Sequence, residues 1–155
     1  WRLGDTYITA IGQYGTQVTP INAVRFVVAL ANKGKLLKPS LLPGGDPQAV
    51  EEILDFAPDE WQVVQEGMRE SVTDGTSVAL NVPYVKAAGK TGTAEVGSSK
   101  SYVHSWSVGF FPYEYPVYAW AVVMEKGPAT NTVGATSVVR QVFDWIHEHA
   151  PYYFE

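Results

Sequence analysis

The chain has 155 residues, 46% of them hydrophobic, which suits one modest globular domain or part of a larger one. Its net charge of −5 comes without a long basic run, so a nucleic-acid-binding surface is not expected. The absence of cysteine excludes disulfides, thiol catalysis and cysteine-ligated metals. No apolar run has the length of a membrane span and no signal peptide opens the sequence. We interpret the abrupt start at Trp1 as a position inside a longer protein, with any targeting segment upstream.

The first predicted helix begins at Thr19-Pro20. Threonine can cap a helix N-terminus, and proline suits the first helical position because its missing N–H has no partner there. Two apolar stripes at helical spacing predict that this helix is buried on most sides. Lys33-Gly34 predicts its end. The apolar positions are Ile21, Val24, Phe26, Val27, Val28, Leu30 and Ala31.

Residues 35–39 are predicted to form a short strand, and residues 40–58, rich in Pro, Gly and acids, a surface excursion. Asp59 is predicted to cap a second helix that ends at Asp74-Gly75. One further helical turn is expected over residues 76–80. The apolar face of the second helix consists of Trp61, Val64, Met68 and Val72.

The second half of the chain changes to the period of strands. Residues 85–96, 102–111 and 117–126 predict three strands whose short connections favour antiparallel pairing. A last helix follows, and a short aromatic tail starts at Pro151. Helices before and after an antiparallel sheet define the α+β class. The apolar stripe of the last helix consists of Val138, Val139, Val142, Phe143 and Ile146.

The most informative segment is residues 88–95 (AGKTGTAE). Gly-Lys-Thr is also typical of a phosphate-binding loop, but that loop requires a glycine where this chain has Tyr84. The alternative is a strand that binds a substrate carboxylate. Lys90 would supply positive charge, the Thr91 and Thr93 hydroxyls would supply donors, and Gly92 would let a peptide approach the backbone. An ordinary exposed strand with a solvated lysine is the competing interpretation of the tripeptide alone.

Further segments, in the same order along the chain, resemble class B penicillin-binding proteins, which share the Lys-Thr-Gly motif with serine β-lactamases. The family has H-A-W-F-x-G-F where this chain has HSWSVGF, and the opening Gly4-Asp5-Thr6 resembles the cell-elongation type. Tyr14 departs from the family pattern, which leaves the geometry of that loop open. The segments are residues 11–23 (IGQYGTQVTPINA), 31–34 (ANKG) with Lys38-Pro39, 64–68 (VQEGM) with Gly75-Thr76, 104–110 and 122–125 (VVME).

The resemblance implies the C-terminal portion of a transpeptidase domain over residues 1–155. Such an enzyme cross-links peptidoglycan stem peptides, and its serine attacks the penultimate D-Ala carbonyl. Lys90, Thr91 and Thr93 would hold the terminal carboxylate of the peptide or of a β-lactam antibiotic, with Gly92 beside it. The backbone N–H of Thr93 would be one of two oxyanion-hole donors. Trp106, on the strand after Lys-Thr-Gly, is a candidate for lining the substrate cleft.

The family's other two motifs, Ser-x-x-Lys and Ser-x-Asn, do not occur in the 155 residues. We therefore expect the upstream half of the domain to be a partner of this chain and the chain alone to be inactive. The alternative is a non-catalytic sensor or scaffold that binds β-lactams or peptidoglycan. A serine β-lactamase is disfavoured because residues 11–23 resemble transpeptidases.

Family membership also implies an extracytoplasmic, periplasmic location, an anchor outside this chain, and partnership with a lipid-II polymerase and elongation-complex proteins that control cell shape. No cofactor is implied. His147 and His149 on one helix and His104 on a distant strand do not predict a metal site. Glu95 and Glu125 are expected to be solvated charges at strand ends. Four tryptophans are expected in the core, namely Trp61, Trp106, Trp120 and Trp145.

Overall fold

The structure, a computed structural model, describes residues 1–13, 17–41, 50–97 and 99–154. Its helices and strands form a mixed fold with an antiparallel sheet, as the order of predicted elements indicated. Two 3-10 helices, Val78–Leu80 and Pro151–Phe154, lie between and after the main elements. In chain order the main elements are α1 (Leu3–Ala10), α2 (Pro20–Ala31), β1 (Lys35–Leu37), β2 (Val50–Ile53), α3 (Pro58–Asp74), β3 (Ala88–Val96), β4 (Tyr102–Phe111), β5 (Tyr118–Pro128) and α4 (Ala135–His149).

The main sheet has three antiparallel strands in the order β3-β4-β5, and β1 pairs separately with β2. Helices cover both faces of the main sheet. Phe110 of β4 is buried with residues of α2 and α3, whereas its neighbour Phe111 is buried with residues of α4. The alternation of side chains along β4 therefore divides the core into two apolar layers, one on each face.

The start of α2 is confirmed: the Thr19 side chain accepts a hydrogen bond from the Asn22 N–H and Pro20 is the first helical residue. The predicted cap of α3 is wrong by two residues, since Ala57, not Asp59, precedes the helix. Pro58 sets the earlier start. The Glu60 carboxylate then accepts from the Ala57 N–H at 2.8 Å, which caps the helix from inside its first turn.

Two burial predictions are wrong. In α2 only Val27, Ala29 and Leu30 are buried, and Phe26 is 57% exposed. Trp145 of α4 is 58% exposed and stacks on His149, because it lies two residues from buried Phe143 and so points away from the sheet. Neither α1 nor β2 was predicted. Both are short elements without a buried residue.

The aromatic tail packs on the core of its own chain. The Phe154 ring centroid lies 5.5 Å from that of Phe111 and 5.8 Å from that of Phe143. Tyr153 meets Tyr118 at 5.3 Å.

A polar cluster ties the segment after α3 to α4. The Tyr84 hydroxyl donates to Asp144, whose carboxylate also accepts from the Arg140 guanidinium at 2.9 Å. Burial and the nearby carboxylate raise the pKa of Tyr84 to about 12. The same two donors lower the pKa of Asp144. Among the described residues, no helix is long and apolar enough to cross a bilayer.

Candidate substrate-binding strand

The Lys-Thr-Gly motif lies in β3, which is an edge strand of the main sheet. β3 pairs with β4 on one side, and no further described strand pairs with its other side. Strand alternation places Lys90 and Gly92 on the face covered by α2 and α3, and Thr91 and Thr93 on the face covered by α4. An open edge of this kind presents backbone N–H and C=O groups to an extended ligand.

Hydrogen bonds within the chain orient the Lys90 and Thr91 side chains. The exposed Lys90 ammonium donates to the backbone oxygen of Thr91 at 2.9 Å. The Thr91 hydroxyl donates to the Thr76 hydroxyl at 2.7 Å, which ties β3 to the turn after α3. Thr93 is exposed. The structure therefore brings Lys90, Thr91 and Thr93 together at one open edge but on two faces of the sheet, a separation that the sequence interpretation had not included.

Trp106 lies directly opposite Gly92 in the β3–β4 register, on the same face as Lys90. A Cβ atom on Gly92 would lie 3.4 Å from the Trp106 Cβ, which is ordinary van der Waals contact. The half-buried Trp106 side chain thus lies on the lysine side of the strand and away from the two threonine hydroxyls. This position is compatible with the predicted lining role, which stays a prediction.

Two glycines fix how closely β3 and β4 approach. Gly89 and Gly109 are directly paired, and Trp120 of β5 pairs with Gly109 on the same face. A Cβ on Gly109 would lie 2.3 Å from the Ala88 carbonyl oxygen and 2.3 Å from two Trp120 ring carbons. The Trp120 indole N–H donates to the buried Ser107 hydroxyl at 3.2 Å. The indole ring therefore rests on bare backbone immediately before the Lys-Thr-Gly segment.

A second feature of the site was missed by sequence reasoning. The loop between β5 and α4 approaches Thr93 and encloses a pocket of about 250 Å³ on that face of the sheet. The sequence shows this loop only as a Gly- and Pro-containing connection, which is typical of any loop. Its proximity to Thr93 depends on strand order and register, which the local pattern does not contain.

The other candidates have structural partners. His147 stacks on Tyr84 with centroids 4.1 Å apart, and the His104 Nδ1 atom accepts from the Lys126 N–H at 3.1 Å. Within the described part of the chain, no group of three His, Cys, Asp or Glu is arranged to hold a metal ion. Glu95 forms an ion pair of 2.7 Å with Lys100 across the β3–β4 turn. Residues 14–16, which include the departure at Tyr14, lie outside the described residues.

Comparison with known proteins identifies the class. The model of the penicillin-binding protein transpeptidase domain matches residues 1–144. The chain therefore belongs to the penicillin-binding protein transpeptidase family. It is 30% identical to the peptidoglycan D,D-transpeptidase MrdA of Salmonella typhimurium over 96% of this chain and 28% of that protein. MrdA-type relatives support the elongation type that the opening residues indicated.

Solved structures agree with this assignment. PBP2 of Helicobacter pylori, in complex with MreC, is 29% identical with a TM-score of 0.80, covering 97% of this chain and 28% of that one. Penicillin-binding protein A of Mycobacterium tuberculosis, as an imipenem acyl-enzyme complex, is 27% identical with a TM-score of 0.70, covering 88% of this chain and 32% of that one. The chain thus spans about a third or less of the length of these relatives and is a partial transpeptidase domain.

Proposed function

We propose that this chain supplies the substrate-binding strand of a serine-type peptidoglycan D,D-transpeptidase. The observation that carries the proposal is the position of Lys90, Thr91 and Thr93 on an edge strand whose outer backbone is not paired by any described strand. An extended stem peptide would add to this edge as a further strand, with backbone hydrogen bonds giving affinity. The chain's membership in the transpeptidase family supports the same conclusion.

The terminal carboxylate of the donor peptide is held by the lysine and the threonines. Charge-assisted hydrogen bonds to a carboxylate are about twice as strong as neutral ones. Lys90 is exposed, and the one partner of its ammonium among the described residues is the Thr91 backbone oxygen, so the ammonium is available to an incoming carboxylate at little cost. The Thr76 hydroxyl keeps Thr91 in a fixed rotamer before the substrate arrives.

The reaction needs a serine that this chain does not contain in the Ser-x-x-Lys pattern. Its Oγ would attack the penultimate D-Ala carbonyl carbon, the amide bond would break, and the serine's proton would end on the released D-Ala amine. An amine of a second stem peptide would then displace the serine and form the cross-link. The Thr93 N–H would donate to the oxyanion, and losing one such donor typically costs about 3 kcal/mol of barrier stabilisation.

The cellular setting that we propose for the enzyme rests on the same family membership. We place it on the extracytoplasmic face of the bacterial inner membrane, anchored through a segment outside these residues. The Helicobacter pylori relative is described in complex with MreC, and we extend to this protein an elongation complex that also includes a lipid-II polymerase. β-Lactams would compete with the stem peptide, as the imipenem acyl-enzyme of the mycobacterial relative suggests.

Intact mass after incubation with benzylpenicillin tests the proposal. The chain by itself is expected to show no adduct, and the natural protein extended upstream through Ser-x-x-Lys is expected to gain one acyl group. An adduct on the chain alone would defeat the assignment of the nucleophile to another segment. No adduct on either protein would indicate a non-catalytic β-lactam or peptidoglycan sensor, and the roles of Lys90 and Thr93 would be withdrawn.

A lysine variant isolates the carboxylate contact. Lys90→Gln in the extended protein is expected to slow acylation by about 10- to 100-fold, the effect of losing a hydrogen bond to a charged group. The matched control is Lys35→Gln, because Lys35 is an exposed lysine on β1 and not on the main sheet. Equal rates for the two variants would contradict the assigned role of Lys90.

A further inference from the structure

The pocket beside Thr93, which we call the Thr93 pocket, has a floor of sheet residues and a wall formed by residues 127–134, the end of β5 and the loop that follows it. Its floor combines hydroxyl and apolar groups, and the loop adds an amide and another hydroxyl. A pocket of this composition suits a medium-sized side chain with both apolar and polar atoms. The side chains that line it include Thr93, Val103, Ser105, Met124, Asn131 and Thr132.

The wall of the pocket is fixed at both ends, once to the residue before β4 and once to β4 itself. The Ala129 N–H donates to the Ser101 carbonyl at 2.9 Å, and the Ala135 N–H donates to the Ser105 hydroxyl at 2.9 Å. The second bond is the more informative. Gly134 precedes α4 and has no side chain with which to cap it, so Ser105 on β4 satisfies the first free N–H of the helix.

Ser105 also limits how far the loop lies from Thr93. The two residues are directly paired across β3 and β4, so their side chains share one face. A Cβ on Gly134 would lie 2.6 Å from the Ser105 Oγ. The loop backbone therefore rests directly on the hydroxyl beside the substrate-binding strand.

We propose that Ser105 is a positioning residue that sets the width of the Thr93 pocket and so the enzyme's discrimination between acyl side chains that would lie there. The proposal rests on the proposed transpeptidase function. A peptide antiparallel to β3, with its carboxylate at Lys90 and Thr91, continues past Thr93 towards the end of the strand. Its side chains alternate between the two faces, so one of them points to the face that holds this pocket.

The test compares benzylpenicillin with its acetamido analogue, which keeps the same nucleus, amide and carboxylate and lacks only the phenyl ring. Second-order acylation rate constants are measured on the natural protein extended upstream through Ser-x-x-Lys. In Ser105→Ala the ratio of the two constants is expected to change about fivefold, because the loop loses its hydrogen bond to β4 and the pocket changes width, while the analogue's rate changes little. Thr19→Ala removes the cap of α2 instead and is expected to leave the ratio unchanged.

A second variant covers the possibility that Ser105→Ala folds poorly. Gly134→Ala places a methyl against the Ser105 hydroxyl and is expected to displace the loop and change the ratio. In the double variant the nearest remaining atom is the Ser105 Cβ at 3.6 Å, an ordinary contact. Gly134→Ala should therefore have a smaller effect in the Ser105→Ala background than alone, which a double-mutant cycle measures.

The outcomes separate this inference from the function on which it rests. If the unaltered protein is not acylated by either penicillin, the transpeptidase proposal falls and the pocket assignment falls with it. If acylation occurs but the ratio is unchanged in Ser105→Ala and in Gly134→Ala, the pocket assignment is overturned and the function stands. Equal loss of both rates also overturns it, because Ser105 would then act on the whole strand and not on the pocket.

Discussion

Replacing Gly109 with alanine tests how the sheet beneath the Lys-Thr-Gly strand is built. The new methyl carbon would lie 2.3 Å from the Ala88 carbonyl oxygen and from two ring carbons of Trp120, whereas ordinary contact starts at 3.4 Å. Each of these atoms would have to retreat by about 1 Å. The ring can tilt only by straining its hydrogen bond to Ser107, and the carbonyl can move only by separating β3 from β4.

The expected size of the effect follows from two opposing contributions. Overpacking a well-filled site costs about 1–3 kcal/mol, and the upper value applies because a backbone atom is among those displaced. Replacing glycine by alanine in a regular element raises the free energy of unfolding by up to about 1 kcal/mol, because the unfolded chain loses conformational freedom. Gly109→Ala is therefore expected to lower the free energy of unfolding by about 2 kcal/mol.

Urea unfolding followed by tryptophan fluorescence measures this change. The matched control is Gly67→Ala in α3, where a Cβ meets no atom within 4 Å. The control is expected to raise the free energy of unfolding by about 1 kcal/mol. The free energy of unfolding of Gly89→Ala should lie between those of the Gly109→Ala and Gly67→Ala proteins, since the Gly89 Cβ would lie 3.0 Å from the Trp120 ring. A Gly109→Ala protein that is as stable as the Gly67→Ala protein would refute the close approach inferred here.

Four further predictions use the same unfolding and acylation measurements. Gly34→Ala is expected to lower the free energy of unfolding by about 2 kcal/mol, because φ of Gly34 is +103° and a Cβ there would lie 2.6 Å from a backbone oxygen. An unchanged midpoint of urea unfolding would contradict this. The pKa of Tyr84 rises from 10.0 to about 12 on folding, so only the unfolded chain ionises between these values. Stability should fall as pH rises through that window, and Tyr84→Phe should lack this loss. The pKa of Asp144 is lowered from 3.8, so its contribution is present above that pH and is lost as pH falls below it. Asp144→Asn should weaken this loss of stability at low pH. If the stability of both proteins fell equally at low pH, the hydrogen-bonded cluster of Tyr84, Arg140 and Asp144 would not be the cause. Thr76→Val removes the partner of the Thr91 hydroxyl and should slow acylation of the upstream-extended protein about fivefold, the effect of one neutral hydrogen bond.

The sequence by itself determined the family, the α+β class and most of the regular elements. The strand predicted over 102–111 coincides with β4, and α2 begins at the predicted Thr19-Pro20 pair. These features are local, because the periods of 2.0 and 3.6 residues and the chemistry of helix caps are contained in a short window of residues. The Lys-Thr-Gly motif is local for the same reason, since all its side chains come from one strand.

Only the tertiary structure decided which residues meet across the fold. The contact between Ser105 and Ala135 joins residues 30 positions apart, and the Tyr84–Asp144 bond joins residues 60 apart. The exposure of Trp145 likewise depends on which stripe of α4 faces the sheet. Such contacts depend on the order and register of the strands and on how the helices pack on each face of the sheet. Sequences with the same local periods can differ in all of these. The sequence therefore indicated the chemistry of the site, and the fold alone decided its surroundings.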